Sequence, residues 1–444
     1  MQRASRTESG SSLLRLACYL LIVLGLSMLL SGCQPATAPG TSEDVVHLTL
    51  WHGVNPPPNR DVLQRLVDQF NQTHPHIQVE PLYVGQSDQQ IPKILAAIVG
   101  NAPPDLLWYA PTLTGQLVEL DAIVPLEDWL TALPLKAEID PALWESMSWE
   151  GHLWSIPFSV NNVGIFYRPS LFAAAGITTL PTTWDELRQV AQQLTDSNRG
   201  QFGMLLPLGR GEWTVFMWLP FLWSNGGELV AADSVQSTEP TAAPFPRVQL
   251  NTPAAIGALQ FWQQLLQDGS AILSQPERGY ELDRFLAGKV AMQLTGPWTL
   301  AQLQATGVDF AVLPIPRAVR PATSIGGENL FVFKTTPTRE QAARVFAEYV
   351  LSESFQTEWA IHTGYLPVNV QSRQSSAYQQ FVRQQPAVEV FLQQAPYGRS
   401  RPIFPGYSRL SDALGRAIEA VLLNQSTPEQ ALQQAQRRWD LISR

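Results

Sequence analysis

Val46-His47-Leu48-Thr49-Leu50-Trp51 opens the stretch that decides the fold, and Asp105-Leu106-Leu107-Trp108-Tyr109 closes it. Apolar residues alternate in the first segment, the two-residue period of a strand with one covered face. Pro56, Pro57 and Pro58 break that strand. Val62, Leu63, Leu66, Val67 and Phe70 then recur at three- and four-residue steps, which predicts a helix. Residues 77–84 read as a second strand and residues 91–99 as a short helix, ended by Gly100-Asn101-Ala102-Pro103-Pro104. The apolar segment 105–109 is a third strand. Strand, helix, strand, helix, strand implies a parallel sheet flanked by helices.

The same alternation resumes further on. Residues 153–158 and 163–167 are strand-like. Thr183-Trp184-Asp185-Glu186 is a capping box opening a helix through Leu187, Val190, Ala191 and Leu194. Ile256, Leu259, Trp262 and Leu266 mark another helix. Residues 290–294 form a strand ending at Thr295-Gly296-Pro297, and residues 310–313 and 330–333 are further strands. Thr338 with Gln341 caps a helix carrying Ala342, Val345, Phe346 and Tyr349, and Thr427-Pro428-Glu429-Gln430 caps the last helix with Pro in its first turn. Residues 231–246, rich in Ser, Thr, Ala and Pro, read as a surface loop. No internal repeat is visible.

The N-terminus reads as an export signal. Arg3, Arg6 and Arg15 precede an uncharged apolar run, 16–30, too short for a comfortable membrane span of about 20 residues. It meets Leu30-Ser31-Gly32-Cys33, a lipobox whose cysteine thiol would carry a diacylglycerol and become the first mature residue. Residues 1–32 are therefore expected to be a lipoprotein signal peptide and 33–44 a flexible tether. The chain has 2 Cys; Cys18 falls in the signal and Cys33 at its end, so the mature body has neither internal disulfide nor catalytic thiol. The expected location is outside the cytoplasm, held to a membrane surface by lipid.

The 444 residues are 45% hydrophobic and 15% charged, a globular composition long enough for two domains. A net charge of -9 argues against nucleic acid or an anionic membrane surface as partner. The 14 Trp are core residues or flat apolar platforms for sugar rings, and composition does not separate the two. There is no Walker loop, so any ATP hydrolysis belongs to another subunit. No Gly-x-Ser-x-Gly nucleophile elbow and no zinc-type Cys/His set is present. His74 and His76 flank a proline in what reads as a solvated turn. No cofactor or metal is implied.

Several segments together carry a resemblance. They are Leu48 to Gly53, Phe70-Asn71-Gln72-Thr73-His74-Pro75, Gly100 to Leu106, Ile156-Pro157-Phe158 with Phe166-Tyr167-Arg168, Gly288-Lys289-Val290-Ala291-Met292 with Gly296-Pro297-Trp298, Gly326-Gly327-Glu328-Asn329, and Thr363-Gly364-Tyr365-Leu366-Pro367. In this order they resemble the large sugar-binding proteins of ABC importers, extracellular solute-binding protein family 1. That group includes maltodextrin-binding and glycerol-3-phosphate-binding proteins. The resemblance implies an α/β, two-lobed periplasmic-binding-protein fold with hinge segments and an interlobe ligand cleft. Lobe 1 would comprise 45–160 plus 324–368, and lobe 2 161–323 plus 369–444. It also implies a non-enzymatic, monomeric component that delivers a sugar, oligosaccharide or related glycoside to membrane permease subunits.

By the same resemblance Trp298, after Gly296, corresponds to an aromatic that stacks on a sugar ring. Tyr109 is a facing aromatic or a half-buried packing residue, and Trp51 closes the first strand beside His52. Asn161 stands where a polar sugar contact is expected, since an amide both donates and accepts. Trp213, expected in a polar loop after Gly209-Arg210-Gly211-Glu212, is a second candidate platform. Gly326, Gly327, Glu328 and Asn329 form a turn that lets backbone approach a ligand, or simply a turn. Tyr365 is carried over from its Gly-Tyr-Leu-Pro segment. Arg399 and Arg401 occupy the region where glycerol-3-phosphate binders place an arginine on phosphate. Ala110 and Ser87 stand where an acidic and an aromatic contact of those binders align, which favours an uncharged ligand. Three other readings remain: an sn-glycerol-3-phosphate-binding importer component, an exported glycoside hydrolase lipoprotein, which needs two carboxylates about 5–10 Å apart, and a sensor lipoprotein sharing the fold.

Overall fold

Fifteen strands are described in a computed structural model of the chain. In order they are β1 (Val46–His52), β2 (Ile77–Tyr83), β3 (Leu106–Tyr109), β4 (Ser148–Trp149), β5 (His152–Leu153), β6 (Ile156–Pro157), β7 (Asn161–Asn162) and β8 (Gly164–Tyr167), then β9 (Phe202–Leu206), β10 (Ala271–Leu273), β11 (Val290–Thr295), β12 (Ala311–Leu313), β13 (Thr323–Gly326), β14 (Asn329–Val332) and β15 (Gly398–Arg399). The described residues are 45–231, 245–275, 280 and 282–443. The expected signal peptide at 1–32, the expected tether at 33–44 with Cys33, and most of the expected loop at 231–246 lie outside them.

The strands build two five-stranded sheets on one plan. The first runs β2-β1-β3-β14-β6 and the second β10-β9-β11-β8-β12. In the first, β1 pairs parallel with β2 and β3, as the 46–109 pattern implied, but β14 enters antiparallel to both β3 and β6. In the second, β9 is parallel to β10 and β11, and β8 is antiparallel to β11 and β12. Both sheets are thus mixed and not purely parallel, because each receives a strand from a chain segment that comes from the other sheet.

Those passages lie side by side. The chain leaves the first sheet after β6, runs through β7 and enters the second at β8. It returns from β12 through β13 to β14. β7 and β13 pair antiparallel, with Asn161 opposite Gly326 and Asn162 opposite Ile325, and β15 adds to β13 in parallel. A three-stranded ribbon therefore joins the two sheets.

Helices cover the sheets where periodicity placed them. Pro57–Thr73 buries Val62, Leu63, Leu66, Val67 and Phe70 against the first sheet. Trp184–Gln193 opens with the expected box: the Thr183 side chain accepts from the Glu186 amide while Glu186 reaches back to the cap. Thr427 caps Pro428–Ile442 as expected. The helix at 337 differs, since its cap is Thr336 and not Thr338. Pro337 takes the first helical position, where its missing amide costs nothing, and leaves Thr336 as the last extended residue. The stretch 153–158 is not one strand, being split between β5 and β6.

The helix Glu212–Ser224 lacked a clear signal because it is apolar all round: every residue from Thr214 to Ser224 is buried. Such a helix shows no stripe and no period. Its own Trp218 and Phe221 share one core cluster with Trp262 and Trp439, and a separate cluster holds Trp108, Phe158 and Trp359. Many of the tryptophans are thus core residues.

Candidate functional site

β11, buried along its whole length, ends at Thr295 and turns through Gly296 into the short 3-10 turn Pro297–Thr299. The turn presents Trp298, half-buried. Its ring centroid lies 5.9 Å from that of Trp213 at an interplanar angle of 69°, and 6.5 Å from Tyr365 at 42°. Trp213 sits in the first turn of the helix Glu212–Ser224 and not in a loop, a correction that follows from the buried helix described above. Tyr365 follows directly on Gly364, where the helix Glu353–Thr363 ends. Asn59, buried on the Pro57–Thr73 helix, donates to the Trp298 carbonyl at 3.0 Å. Three aromatic rings from three separate segments therefore meet at the end of β11.

Beside them lies a polar group. Tyr365 hydrogen-bonds Glu328, which also accepts from Ser159 Oγ at 3.5 Å. Glu328 keeps some surface but is largely surrounded by protein, and that desolvation pushes its carboxyl up to about 8, against the pull of Arg401, Ser159 and Tyr365. Arg401 is buried and donates from Nη1 to Glu212 Oε1 at 2.6 Å. Tyr407 Oη donates to the same oxygen at 3.1 Å, and Ser411 Oγ donates to Oε2. Burial acts against the charge on Arg401, and the Glu212 carboxylate more than restores it. The Arg401 guanidinium lies 4.4 Å from the centre of the Phe216 ring, a cation–π arrangement. A crevice lined by Ser159, Gly326, Gly327, Asn329 and Arg401 among others has a volume of about 20 Å³, room for about one water.

Asn161, Trp213, Gly296, Trp298, Gly326, Gly327, Glu328, Tyr365 and Arg401 thus share one region. The remaining candidates stand apart from its aromatic group. Tyr109 is buried in an apolar cluster with Ile94, Leu107 and Phe331, and Trp51 packs on that cluster. Asn329 is buried and donates to Ser155 Oγ at 2.7 Å, though it also borders the crevice. Arg399 donates to Glu228 Oε2 at 2.6 Å and lies over the Trp223 ring. A second depression, about 580 Å³, open to solvent and lined by Asn225, Glu228 and Thr252, contains none of these aromatic residues.

Sequence reasoning missed Tyr407, Ser411, Ser159 and Phe216. Tyr407 and Ser411 are four residues apart on one helix face, a detectable pairing. Nothing local ties either to Glu212. Among the described residues no group of three or more His, Cys, Asp or Glu is placed to hold a metal ion, and no helix is long and apolar enough to cross a membrane.

Two mixed sheets joined by a hydrogen-bonded ribbon, with an aromatic and polar site at their junction, define a two-lobed solute-binding fold. The chain belongs to the family of bacterial extracellular solute-binding proteins, whose profile matches residues 65–388. It is similar to the sn-glycerol-3-phosphate-binding periplasmic protein of Escherichia coli K12, at 23% identity over 91% of this chain and 94% of that protein. It is also similar to the maltotriose-binding protein of Pyrococcus abyssi, at 22% identity over 72% of this chain and 66% of that protein. Among solved structures, an ABC transporter solute-binding protein from Thermotoga lettingae bound with alpha-D-tagatose superposes with a TM-score of 0.80. It is 23% identical and covers 90% of this chain and 100% of its own. The cyclic alpha-maltosyl-1,6-maltose binding protein of Arthrobacter globiformis gives 0.72 at 25% identity, covering 90% of this chain and 99% of its own.

Proposed function

We propose that this protein is the substrate-binding component of an ABC importer, capturing a sugar, oligosaccharide or related glycoside and handing it to membrane permease subunits. The observation that carries this is the meeting of Trp213, Trp298 and Tyr365 beside Glu328, Arg401 and Asn161. Rings of a sugar lose apolar surface to the aromatic faces, worth about 1–3 kcal/mol per platform. Its hydroxyls need partners in a closed site, since each one unpaired costs about 1–3 kcal/mol. The names of the relatives, which bind maltotriose and sn-glycerol 3-phosphate, support a polyhydroxylated ligand.

Capture requires motion. The crevice in this conformation holds no more than a water, so ligand enters when the sheets swing apart about the β7–β13 ribbon. Ligand contacts from both sides then favour the closed state by their differential affinity. The backbone amide of Gly115 donates to the Ile403 carbonyl at 3.0 Å, a contact that closure would make and opening would break. We assign Trp298, Trp213 and Tyr365 to ring stacking, and Asn161, Glu328 and Arg401 to hydroxyl contacts. Cys33 is the lipidation point, and the tethered protein works as a monomer on the outer side of a membrane.

A thermal-shift screen against sugars, disaccharides, glycosylated glycerols and glycerol phosphates tests this reading. A ligand at a hundred times its dissociation constant adds about 2.7 kcal/mol of stability. A shift without product formation is expected. Turnover of a glycoside would replace this reading with a hydrolase; against that, the Glu212 carboxylate is already engaged by Arg401, Tyr407 and Ser411.

A further inference from the structure

We propose that the polar end of this site selects an uncharged hydroxyl and rejects a phosphate or carboxylate, and that Glu212 is the positioning residue that sets the preference. The proposal rests on the sugar-binding reading above and specifies its ligand class.

Arg401 is the buried cation an anionic ligand would seek, and it already has a counter-ion. Glu212 meets it at 2.6 Å and is itself held in place by Tyr407 and Ser411. The pair is neutral as a unit, so an arriving phosphate loses its water and gains no net opposing charge. Glu328 adds a second carboxyl within electrostatic reach of Arg401. As a carboxylate it repels an anion, and in either protonation state it keeps an oxygen that accepts from a hydroxyl, a donor that a phosphate dianion or carboxylate group does not supply. Arg399, the other candidate, is likewise matched, by Glu228 at 2.6 Å.

Two orphaned atoms state what the site lacks. Asn161 Oδ1 and Arg401 Nε are both buried without a hydrogen-bond partner, on residues only 3% and 9% exposed. They flank one ring. A β-carbon built on Gly326 would stand 2.4 Å from Asn161 Oδ1 and 2.6 Å from Cζ of Phe216, and the Arg401 guanidinium lies against that same ring. Asn161 Oδ1 needs a donor and Arg401 Nε needs an acceptor. A hydroxyl, or two adjacent hydroxyls, is both. A phosphate dianion or carboxylate only accepts, so it leaves Asn161 Oδ1 unpaired and faces it with like partial charge.

The test is calorimetric titration of the full chain in detergent with matched probes: glucose against glucose 1-phosphate, glucose 6-phosphate and glucuronate, maltose against maltose 1-phosphate, and glycerol against sn-glycerol 3-phosphate. Each anion is expected to bind at least tenfold more weakly than its neutral counterpart. In Glu212→Gln the ratio should move at least tenfold toward the anion, a change in selectivity that a purely structural role would not produce. An anion bound as tightly as its neutral partner by the wild-type chain overturns the proposal, whether or not Glu212→Gln folds. An unchanged ratio in a folded Glu212→Gln overturns the role of Glu212. Failure of every probe, neutral and anionic, overturns the sugar reading itself, which is a separate result from anion binding.

Discussion

A β-carbon on Gly296 would stand 2.0 Å from Cζ3 of Trp298, because the indole folds back over the α-carbon two residues before it. The ring is therefore positioned by the absence of a side chain. Trp298→Ala is expected to weaken ligand binding at least tenfold, about 1.4 kcal/mol, within the range for one lost apolar platform. Gly296→Ala should do the same while keeping the indole, by driving it out of place. Calorimetric affinity of both variants, with thermal melting as the control for folding, checks this; native affinity in either removes the stacking role.

Glu328 makes stability pH-dependent with a definite sign. Its carboxyl is pushed up to about 8 by burial, with Arg401, Ser159 and Tyr365 facing it and pulling the other way, against an ordinary value of 4.5. Between those two values the unfolded chain releases the proton and the folded chain keeps it. Stability from this group is thus fully present below about 4.5 and lost as pH rises through about 8. The difference between wild type and Glu328→Gln in urea midpoint should therefore shift steadily against the wild type from pH 5 to pH 8. A constant difference across that range would sink the assignment.

Asp105 is 1% exposed and is clamped by Arg339, with Nε to Oδ1 at 2.6 Å and Nη2 to Oδ2 at 2.5 Å, while the Thr49 amide donates to Oδ2 at 2.8 Å. This clamp ties the helix Pro337–Leu351 to the first sheet. Arg339→Met should cost about 2 kcal/mol, the scale of a lost charge-assisted bond reduced by the exposure of the arginine. The companion Asp105→Asn/Arg339→Met double variant should lose less than the sum of the singles, measured by urea denaturation.

Gly327 has φ +119°, and a β-carbon there would sit 2.2 Å from the Ser159 carbonyl oxygen. Gly327→Ala should destabilise the chain by about 2 kcal/mol or more and weaken binding as well, since the turn carries Glu328. Unchanged melting and affinity would show that the turn relaxes freely.

Cys33→Ala should leave affinity intact and move the protein from the membrane fraction to the soluble one. Continued membrane fractionation of that variant would refute lipidation at this residue.

How far the sequence could be read depended on the range of each interaction. β1, the helix after it, β2 and β3 were legible because strand alternation and helical periodicity are written within a dozen residues. The Thr183 and Thr427 caps were legible because each closes a hydrogen bond three residues away. The same local logic points to Thr338 where the cap is Thr336, since both threonines precede plausible first turns and Pro337 decides between them. The helix Glu212–Ser224 was read as polar loop at its start, because a helix buried on every side has no pattern to show.

By itself the sequence determined the α/β character of the chain, the order of its first elements and the aromatic turn at Gly296-Pro297-Trp298. These depend on backbone preferences and on apolar spacing, which act between near neighbours. The tertiary structure alone decided the antiparallel entry of β14 and β8, the pairing of Asn161 with Gly326, and the meeting of Arg401 with Glu212 across 189 positions. Such pairs are selected by the burial of whole sheets and helices. An arginine and a glutamate that far apart carry no local sign of each other, and only the packed chain makes the charge of one the answer to the charge of the other.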